Sequence, residues 1–361
     1  MNGTANCGLR TADCEPALTA ATATSSFPRR MPNYLSRERL VALLDAARGA
    51  RVVIVGDAML DVYLRGDVDR ISPEAPVPVV RVRERRDALG GAANVAQNVS
   101  ALGGVPRLVA AVGRDAAGAR LHAMLDQIGA GTDRLVEVAR PTTTKTRILA
   151  RVQQVVRVDE EEDDDLPAAD AERIAHAVED ALGAADALVL EDYNKGVLTT
   201  PVITRAIERA RSRRLPVVVD PKYRNFFAYK GATIFKPNRR ELEAALGAAM
   251  DLEHPETLPA TVARLEVEHL LLTLGERGML LIPARGGVTR VPTTAREVYD
   301  VVGAGDTVTA YLAATLAAGA TAREAAVIAN YAAGVEVGKL GAATVSAGEV
   351  IDAFERVGDG A

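Results

Sequence analysis

An α/β fold is what this 361-residue sequence predicts, with a mostly parallel central sheet, helices on both its faces and a small separate β-sheet. Three observations lead there. Short continuous runs of aliphatic residues recur, as in "RVVIVGD", "DALVLED", "LPVVVDPK" and "HLLLTLGERG", and such runs mark strands buried on both faces. Amphipathic helical stretches separate them, and repeated strand–helix alternation builds a parallel sheet. Two segments, 62–84 and 141–158, instead alternate apolar and polar residues, so each covers one face only and belongs to a small sheet outside the buried one.

Taken in order, residues 1–33 stand apart from this pattern. Residues 1–30 are rich in Ala, Thr and Ser, without periodicity and without the apolar core of a signal peptide, and read as a flexible extension. Met31 then opens the amphipathic "MPNYLSRERLVALLDAARGA" and is a candidate for the physiological start. One domain is expected over 34–361. "RVVIVGD" (51–57) is its first buried strand, followed by the alternating segment that ends in "RISPEAPVPVVRV" (70–82). Proline cannot donate to a β ladder, so Pro73, Pro76 and Pro78 beside Val77, Val79, Val80 and Val82 predict an edge strand or a strand start. "GGAANVAQNVSALGG" (90–104) is a helix bounded by glycines, "VPRLVAAVG" (105–113) a buried strand, and "PTTTKTRILARVQQVVRV" (141–158) the second alternating segment. The acidic run "DEEEDDD" (159–165) reads as a solvated turn with no function of its own. Helices and buried strands then take turns to "HLLLTLGERG", and two Ala-rich helices at 306–318 and 322–338 close the chain.

Composition removes several function classes. Apolar residues are 48%, charged residues 25% and the net charge is −5, which is not the basic balance of a general nucleic-acid binder. No apolar run is long enough to span a bilayer. Cys7 and Cys14 both lie in the extension and cannot staple a core, so a reducing, cytoplasmic setting is expected. The four histidines lack metal-ligand spacing.

The strongest chemical signal is "DVVGAGDTVTAYLAATLAAG" (300–319). Gly303, Ala304 and Gly305 make a small-residue turn and Asp306 opens a helix, so free amides at the helix start form an anion site with a carboxylate beside it. Such a carboxylate can take the proton of an attacking hydroxyl, although an aspartate cap after a glycine turn gives the same pattern. In "FKPNRREL" (235–242), Asn238 and Glu241 lie one helical turn apart, a spacing that by itself favours a capping box and that also suits a hydrated Mg²⁺ beside phosphates. "LTLGERG" (272–278), "GDAMLD" (56–61) and "GGAAN" (90–94) add Thr273, Gly275, Asp57, Asp61, Gly90, Gly91 and Asn94 at the ends of β elements. Ligands of open α/β sheets bind outside the carboxyl ends of the strands, where all these stretches fall. Their convergence points to a phosphotransfer site.

In the order GD, GGAAN, LED, DPK, KPNRRE, TLGERG, GAGDT, these stretches resemble the ribokinase-like (PfkB) carbohydrate kinase family from about residue 50 to 350. "ISPEAPVPV" and "EDYNKG" (191–196) are similar to the members that phosphorylate D-glycero-β-D-manno-heptose 7-phosphate at O1 for ADP-heptose and the lipopolysaccharide inner core. No HxGH motif follows GAGDT, so the resemblance implies the stand-alone kinase, with a separate adenylyltransferase and phosphatase completing the pathway. It implies a ribokinase-like fold with ATP and Mg²⁺, and Asp306 as base with the backbone of Gly303, Ala304 and Gly305 holding the phosphoryl group. Asn238 and Glu241 would position Mg²⁺ and the ATP phosphates, Thr273 and Gly275 would line the nucleotide site, and Asn330 and Gly341 would lie in the adenine-side and cation-loop segment. Asp57, Gly90, Gly91, Asn94 and Glu191 would bind the sugar. Lys195, Lys145, Arg147 and Arg114 are candidates for the 7-phosphate, because a dianion needs cationic partners, and Lys222 for the ATP phosphates. A monovalent cation (K⁺) would sit near Asp300 and Ala343. The small sheet would serve as a lid over the sugar and as the contact of a homodimer. The competing readings are a kinase of the same fold acting on fructose, ribose, a fructose phosphate or a nucleoside, and a sugar- or nucleotide-binding regulator without catalysis.

Overall fold

The computed structural model describes residues 34–358, except 152, 296, 297 and 340. The expectations for the N-terminal extension, its two cysteines and the start at Met31 lie outside the described residues. In chain order the strands are β1 (Arg51–Gly56), β2 (Ala58–Ile71), β3 (Pro78–Gly91), β4 (Val105–Gly113), β5 (Leu135–Val138), β6 (Thr144–Ala150), β7 (Gln153–Glu160), β8 (Ala187–Glu191), β9 (Val217–Asp220), β10 (Ile234–Phe235), β11 (His269–Thr273), β12 (Met279–Pro283) and β13 (Thr289–Val291). The helices are α1 (Arg37–Ala47), α2 (Ala92–Leu102), α3 (Ala116–Gln127), α4 (Ala168–Leu182), α5 (Thr200–Ser212), α6 (Arg239–Leu246), α7 (Pro259–Leu265), α8 (Ala304–Ala317), α9 (Ala322–Glu336) and α10 (Ala347–Gly358).

Nine strands form the main sheet in the order β13-β12-β11-β10-β9-β8-β1-β4-β5. It is parallel from β5 to β11. The strands β12 and β13 continue it antiparallel, an edge that the buried-strand pattern does not reveal. The period-two geometry of a strand explains the unbroken aliphatic runs. In β1, Val52 and Ile54 enter the core shared with α1, α2, α8, α9 and α10. Val53 and Val55 enter the opposite core, shared with α4, α5 and α7.

The second sheet runs β3-β2-β6-β7, its two long strands reaching further than the alternating segments suggest. β3 is an edge strand, Pro78 is its first residue, and Pro73 and Pro76 lie in the connection from β2, where no ladder donor is lost. β2 leaves β1 after the single residue Asp57, and β3 runs directly into α2 through Gly90 and Gly91. Both junctions lie at the carboxyl end of β1, so the small sheet projects from the edge of the site.

Candidate active site

Asp306 lies in the first turn of α8, and Gly303 before it adopts a left-handed φ of 96°. A Cβ on Gly303 would lie 3.1 Å from Asn94 Nδ2, 3.2 Å from Glu336 Oε1 and 3.3 Å from the Ala342 Cβ, so glycine is demanded by both conformation and space. No side chain caps this helix start, which leaves the first-turn amides available to an anion. A Cβ on Gly305 would lie 3.6 Å from Lys236 Nζ and 3.7 Å from Asp220 Oδ2, so the small turn faces a charged cluster.

Asp306 itself is 5% exposed. Its Oδ2 accepts from Asn94 Nδ2 at 2.7 Å and its Oδ1 from the Tyr193 hydroxyl at 2.8 Å. Burial pushes its carboxyl up to about 6, while the two donors hold it from rising further. The Tyr193 phenol is pushed well above its ordinary value by burial and by Asp306, which keeps it a donor. Behind Asn94, Asn98 donates to its backbone and side-chain oxygens and accepts from Thr307, tying α2 to α8 under the base.

Asp220 and Glu191 end adjacent strands beside Asp306, and oxygens of the three carboxylates lie within 4.8 Å of one another. Lys236 Nζ donates to Asp220 at 2.7 Å in full burial, and Asp220 and Glu191 hold it charged against the effect of that burial. Neither oxygen of Glu191 has a hydrogen-bond partner, and burial followed by Asp220 and Asp306 pushes its pKa well above normal. Hard carboxylate oxygens grouped this way, one residue of the group unsatisfied, fit a hydrated Mg²⁺.

Asn238 and Glu241 form the capping box of α6, in which each accepts from the other's backbone amide. The remaining oxygen of Glu241 pairs with Lys222, whose ammonium also lies 5.3 Å from the Tyr193 ring centroid. The pair is thus engaged with itself and with Lys222, and the open oxygen set for a cation is the Glu191–Asp220–Asp306 group. Thr273 bridges Asn238 at the end of β11, and Gly275 opens the turn after it with φ 60° and free space around its Cα.

Several expected residues take other places. Asp57 is 2% exposed and accepts from the amides of Tyr193, Lys195 and Val197 at 2.8, 2.9 and 3.2 Å. With those bonds it holds the 193–197 loop. Nearby, Asp61 is also buried; it pairs with Arg147 at 2.5 Å, and its Oδ2 would meet a Cβ on Gly90 at 2.8 Å. Gly91, with φ 57°, packs against the Asp57 carbonyl, which a Cβ there would meet at 2.3 Å. Asn330 spends its side chain on the Pro292 carbonyl at 2.9 Å, tying α9 to the end of β13. The Gly341 amide donates to Asp300 Oδ2 at 3.1 Å, and Asp300 Oδ1 accepts from Val302, so the expected cation loop closes on its own amides. Glu336 is buried beside this loop, and burial pushes its carboxyl up to about 8. Arg114 is separate from this assembly. It is highly exposed, pairs with Glu137 and lines a cavity of about 520 Å³ with Arg140, Asp170 and Arg173.

On one face of the small sheet, register places Asp61 opposite Lys145, Tyr63 opposite Arg147, and Arg86 opposite Tyr63. The Arg86 guanidinium reaches within 4.0 Å of a Cβ built on Gly341, so this face approaches the loop after α9, whose Gly341 amide in turn holds Asp300. The acidic run is not merely a solvated turn: Glu161 pairs with both Lys145 and Lys195. Tyr193, Asp220 and Lys236 stand in the stretches "EDYNKG", "DPK" and "FKPN", but their part in the site depends on contacts between strand ends far apart in sequence.

The comparisons with known proteins agree with this geometry. The chain is 48% identical over 303 residues to the bifunctional protein HldE of Gluconacetobacter diazotrophicus, covering 83% of this chain and 63% of the relative. It is 45% identical over 320 residues to the bifunctional protein HldE of Rhodospirillum rubrum, covering 88% of this chain and 64% of that protein. The chain therefore spans less than two thirds of these curated relatives. Among solved structures, Arabidopsis thaliana ribokinase complexed with ribose and ATP superposes with a TM-score of 0.66 at 21% identity, over 85% of this chain and 99% of that one. Escherichia coli phosphofructokinase-2 in complex with potassium superposes at 0.70 and 17% identity, over 86% and 99%. Both share the ribokinase-like fold. The model of the pfkB family of carbohydrate kinases matches residues 50–347, and the chain belongs to that family of sugar kinases.

Proposed function

We propose that the chain transfers the γ-phosphoryl group of ATP to O1 of D-glycero-β-D-manno-heptose 7-phosphate, yielding the 1,7-bisphosphate and ADP for ADP-heptose synthesis. The observation that carries this reading is the charge of the small sheet's inner face. Arg86, Lys145 and Arg147 lie on it, Lys195 joins them from the 193–197 loop, and an acceptor phosphate would be costly to bury without such partners. Arg147, Lys145 and Lys195 are paired with Asp61 and Glu161, so a phosphate would join or replace those carboxylates among them. The identity to bifunctional HldE proteins, and the resemblance of "ISPEAPVPV" and "EDYNKG" to heptose-phosphate kinases, support the choice of sugar.

In this reading Asp306 takes the proton of the O1 hydroxyl, O1 attacks the γ-phosphorus, and the bond to the β–γ bridging oxygen breaks to release ADP. An anomeric hydroxyl is more acidic than an ordinary alcohol, so a carboxylate with pKa about 6 is a sufficient base. Asn94 and Tyr193 orient it. The first-turn amides of α8 hold the transferring group, and Lys236 and Lys222 offset its charge. Mg²⁺ bound with ATP would screen the phosphates, and Glu191 and Asp220 are the residues that fit it. Two copies would pair through the small sheet, where Val155, Val156 and Val158 on edge strand β7 are exposed. Among the described residues no helix is long and apolar enough to cross a membrane, and we place the reaction in the cytoplasm with its ATP.

The test is ADP release from ATP·Mg²⁺ with heptose 7-phosphate, fructose 6-phosphate, fructose, ribose and adenosine in parallel. The heptose phosphate should give the highest kcat/KM. Slow turnover of it beside fast use of another acceptor would overturn the assignment.

A further inference from the structure

The two lysines expected to meet the acceptor phosphate already share an anion. Lys145 Nζ donates to Glu161 Oε2 at 2.8 Å and Lys195 Nζ to Glu161 Oε1 at 2.7 Å, so each ammonium holds a different oxygen of one carboxylate. Lys145 and Lys195 side chains are 15% and 13% exposed, and Glu161 is 24% exposed, so the bridge is shielded while its carboxylate remains reachable. Burial alone would raise the Glu161 pKa, but the two lysines hold it below its ordinary value and keep it anionic. A carboxylate spanning two ammoniums occupies the place a phosphate would take, with the same charge sign and the same acceptor geometry.

Glu161 is delivered there by the chain on both sides. Before it, β7 pairs with β6, placing Asp159 opposite Lys145. After it, the run packs on the 193–197 loop. The Leu166 amide donates to the Gly196 carbonyl, Arg140 donates to the Asp164 carbonyl at 3.0 Å, and Arg224 pairs with Asp165 at 3.4 Å. Gly196 has φ 79°, and a Cβ there would stand 2.0 Å from the Asp164 oxygen, so the loop and the run fit without space between them. The same loop carries Tyr193, which holds the base.

We propose that Glu161 is an internal placeholder for the acceptor's phosphate: the phosphoryl group displaces its carboxylate from Lys145 and Lys195, and this competition sets how tightly a phosphorylated acceptor is held. The inference rests on the reading that the acceptor is a sugar phosphate. A ligand without a phosphate cannot outcompete a tethered carboxylate, so the lysines stay closed to it. A sugar phosphate exchanges one anion for another and gains a second negative charge between the ammoniums.

Glu161→Gln tests this, because an amide keeps the shape but offers a lysine one acceptor oxygen and no charge. The probe is inorganic phosphate, measured by isothermal titration and by the rise in melting temperature on the intact protein. Phosphate should bind the variant about tenfold tighter than the parent. The KM for heptose 7-phosphate should fall by a similar factor with kcat unchanged, and kinetics with an unphosphorylated heptose should not move. Glu161→Asp, which keeps the charge but is too short to span both lysines, should bind phosphate with intermediate affinity, and it carries the test if the glutamine variant does not fold. Equal or weaker phosphate binding in the folded variants would mean that Glu161 only orients the lysines and would overturn the placeholder. Tighter phosphate binding without turnover of the heptose phosphate would uphold the placeholder and contradict the assigned substrate.

Discussion

At the scale of single residues, the proposed chemistry rests on Asp306 and its two donors, Asn94 and Tyr193. Asp306→Asn keeps the shape and the hydrogen-bonded neighbours of the base but cannot accept the proton, and a positioned base contributes ~10²–10⁴-fold. The variant is expected to lose that much kcat while binding ATP with unchanged affinity by titration. Unfolding of the variant would instead mark Asp306 as a structural cap. Because the base must be ionised, kcat/KM should fall as pH drops below about 6, the value to which burial pushes the carboxyl. Asn94→Ala removes a donor that favours the ionised form, so the acidic limb should shift to higher pH. A limb that stays in place would assign the titration to the substrate's phosphate. Gly303→Ala forces a side chain into a φ of 96° against Asn94 and Glu336 and should cost ~1–3 kcal/mol in urea unfolding. Much of this residue scale is visible in "GAGD" and "GGAAN", since a glycine turn before an aspartate states both the anion site and the carboxylate. The roles of Asp57 and Glu191 are not visible there. Whether a carboxylate is satisfied by three amides or left without a partner depends on a loop more than a hundred residues away.

Elements explain why those residues meet. β1, β8 and β9 end side by side and bring Asp57, Glu191 and Asp220 to one edge, and α2 and α8 converge behind them through Asn98 and Thr307. The 193–197 loop owes its shape to Asp57. Asp57→Ala would strand three amides, that of Val197 buried and those of Tyr193 and Lys195 half-buried, each worth ~1–3 kcal/mol when unpaired in burial, so a loss of about 2–4 kcal/mol in stability is expected by urea unfolding. Stability within ~1 kcal/mol of the parent would show that water or the sugar site replaces the carboxylate. The buried strands were legible because parallel strands covered on both faces admit only aliphatic residues, and "NRRE" was legible as a capping box because its spacing alone defines one. The antiparallel strands β12 and β13 were not, since "MLLIP" and "TRV" carry no mark of direction. The acidic run is legible in part: Glu160 and residues 162–165 are exposed, as a solvated turn requires, but the Glu161 bridge is not visible in the sequence. Like charges repel in isolation, and only lysines and arginines of other elements tie this exposed run to the sheet and to the 193–197 loop.

On the scale of the whole molecule, the proposed function divides the labour between two sheets: the main sheet and its helix ends would hold ATP and the base, while the small sheet would lay its basic side chains over the acceptor and leave apolar side chains outside. Those exposed valines predict a dimer. Sedimentation should give twice the mass of one chain, and Val156→Asp with Val158→Asp should give a folded monomer; a monomeric parent protein would contradict the pairing. The central claim is the identity of the acceptor and of the hydroxyl that is phosphorylated, and proton-coupled ³¹P NMR of the product formed from heptose 7-phosphate and ATP tests it most directly. The account predicts a second phosphorus resonance coupled to the anomeric proton, appearing in step with ADP. A product phosphorylated at any other carbon, or ADP formed with no new sugar phosphate, would contradict it.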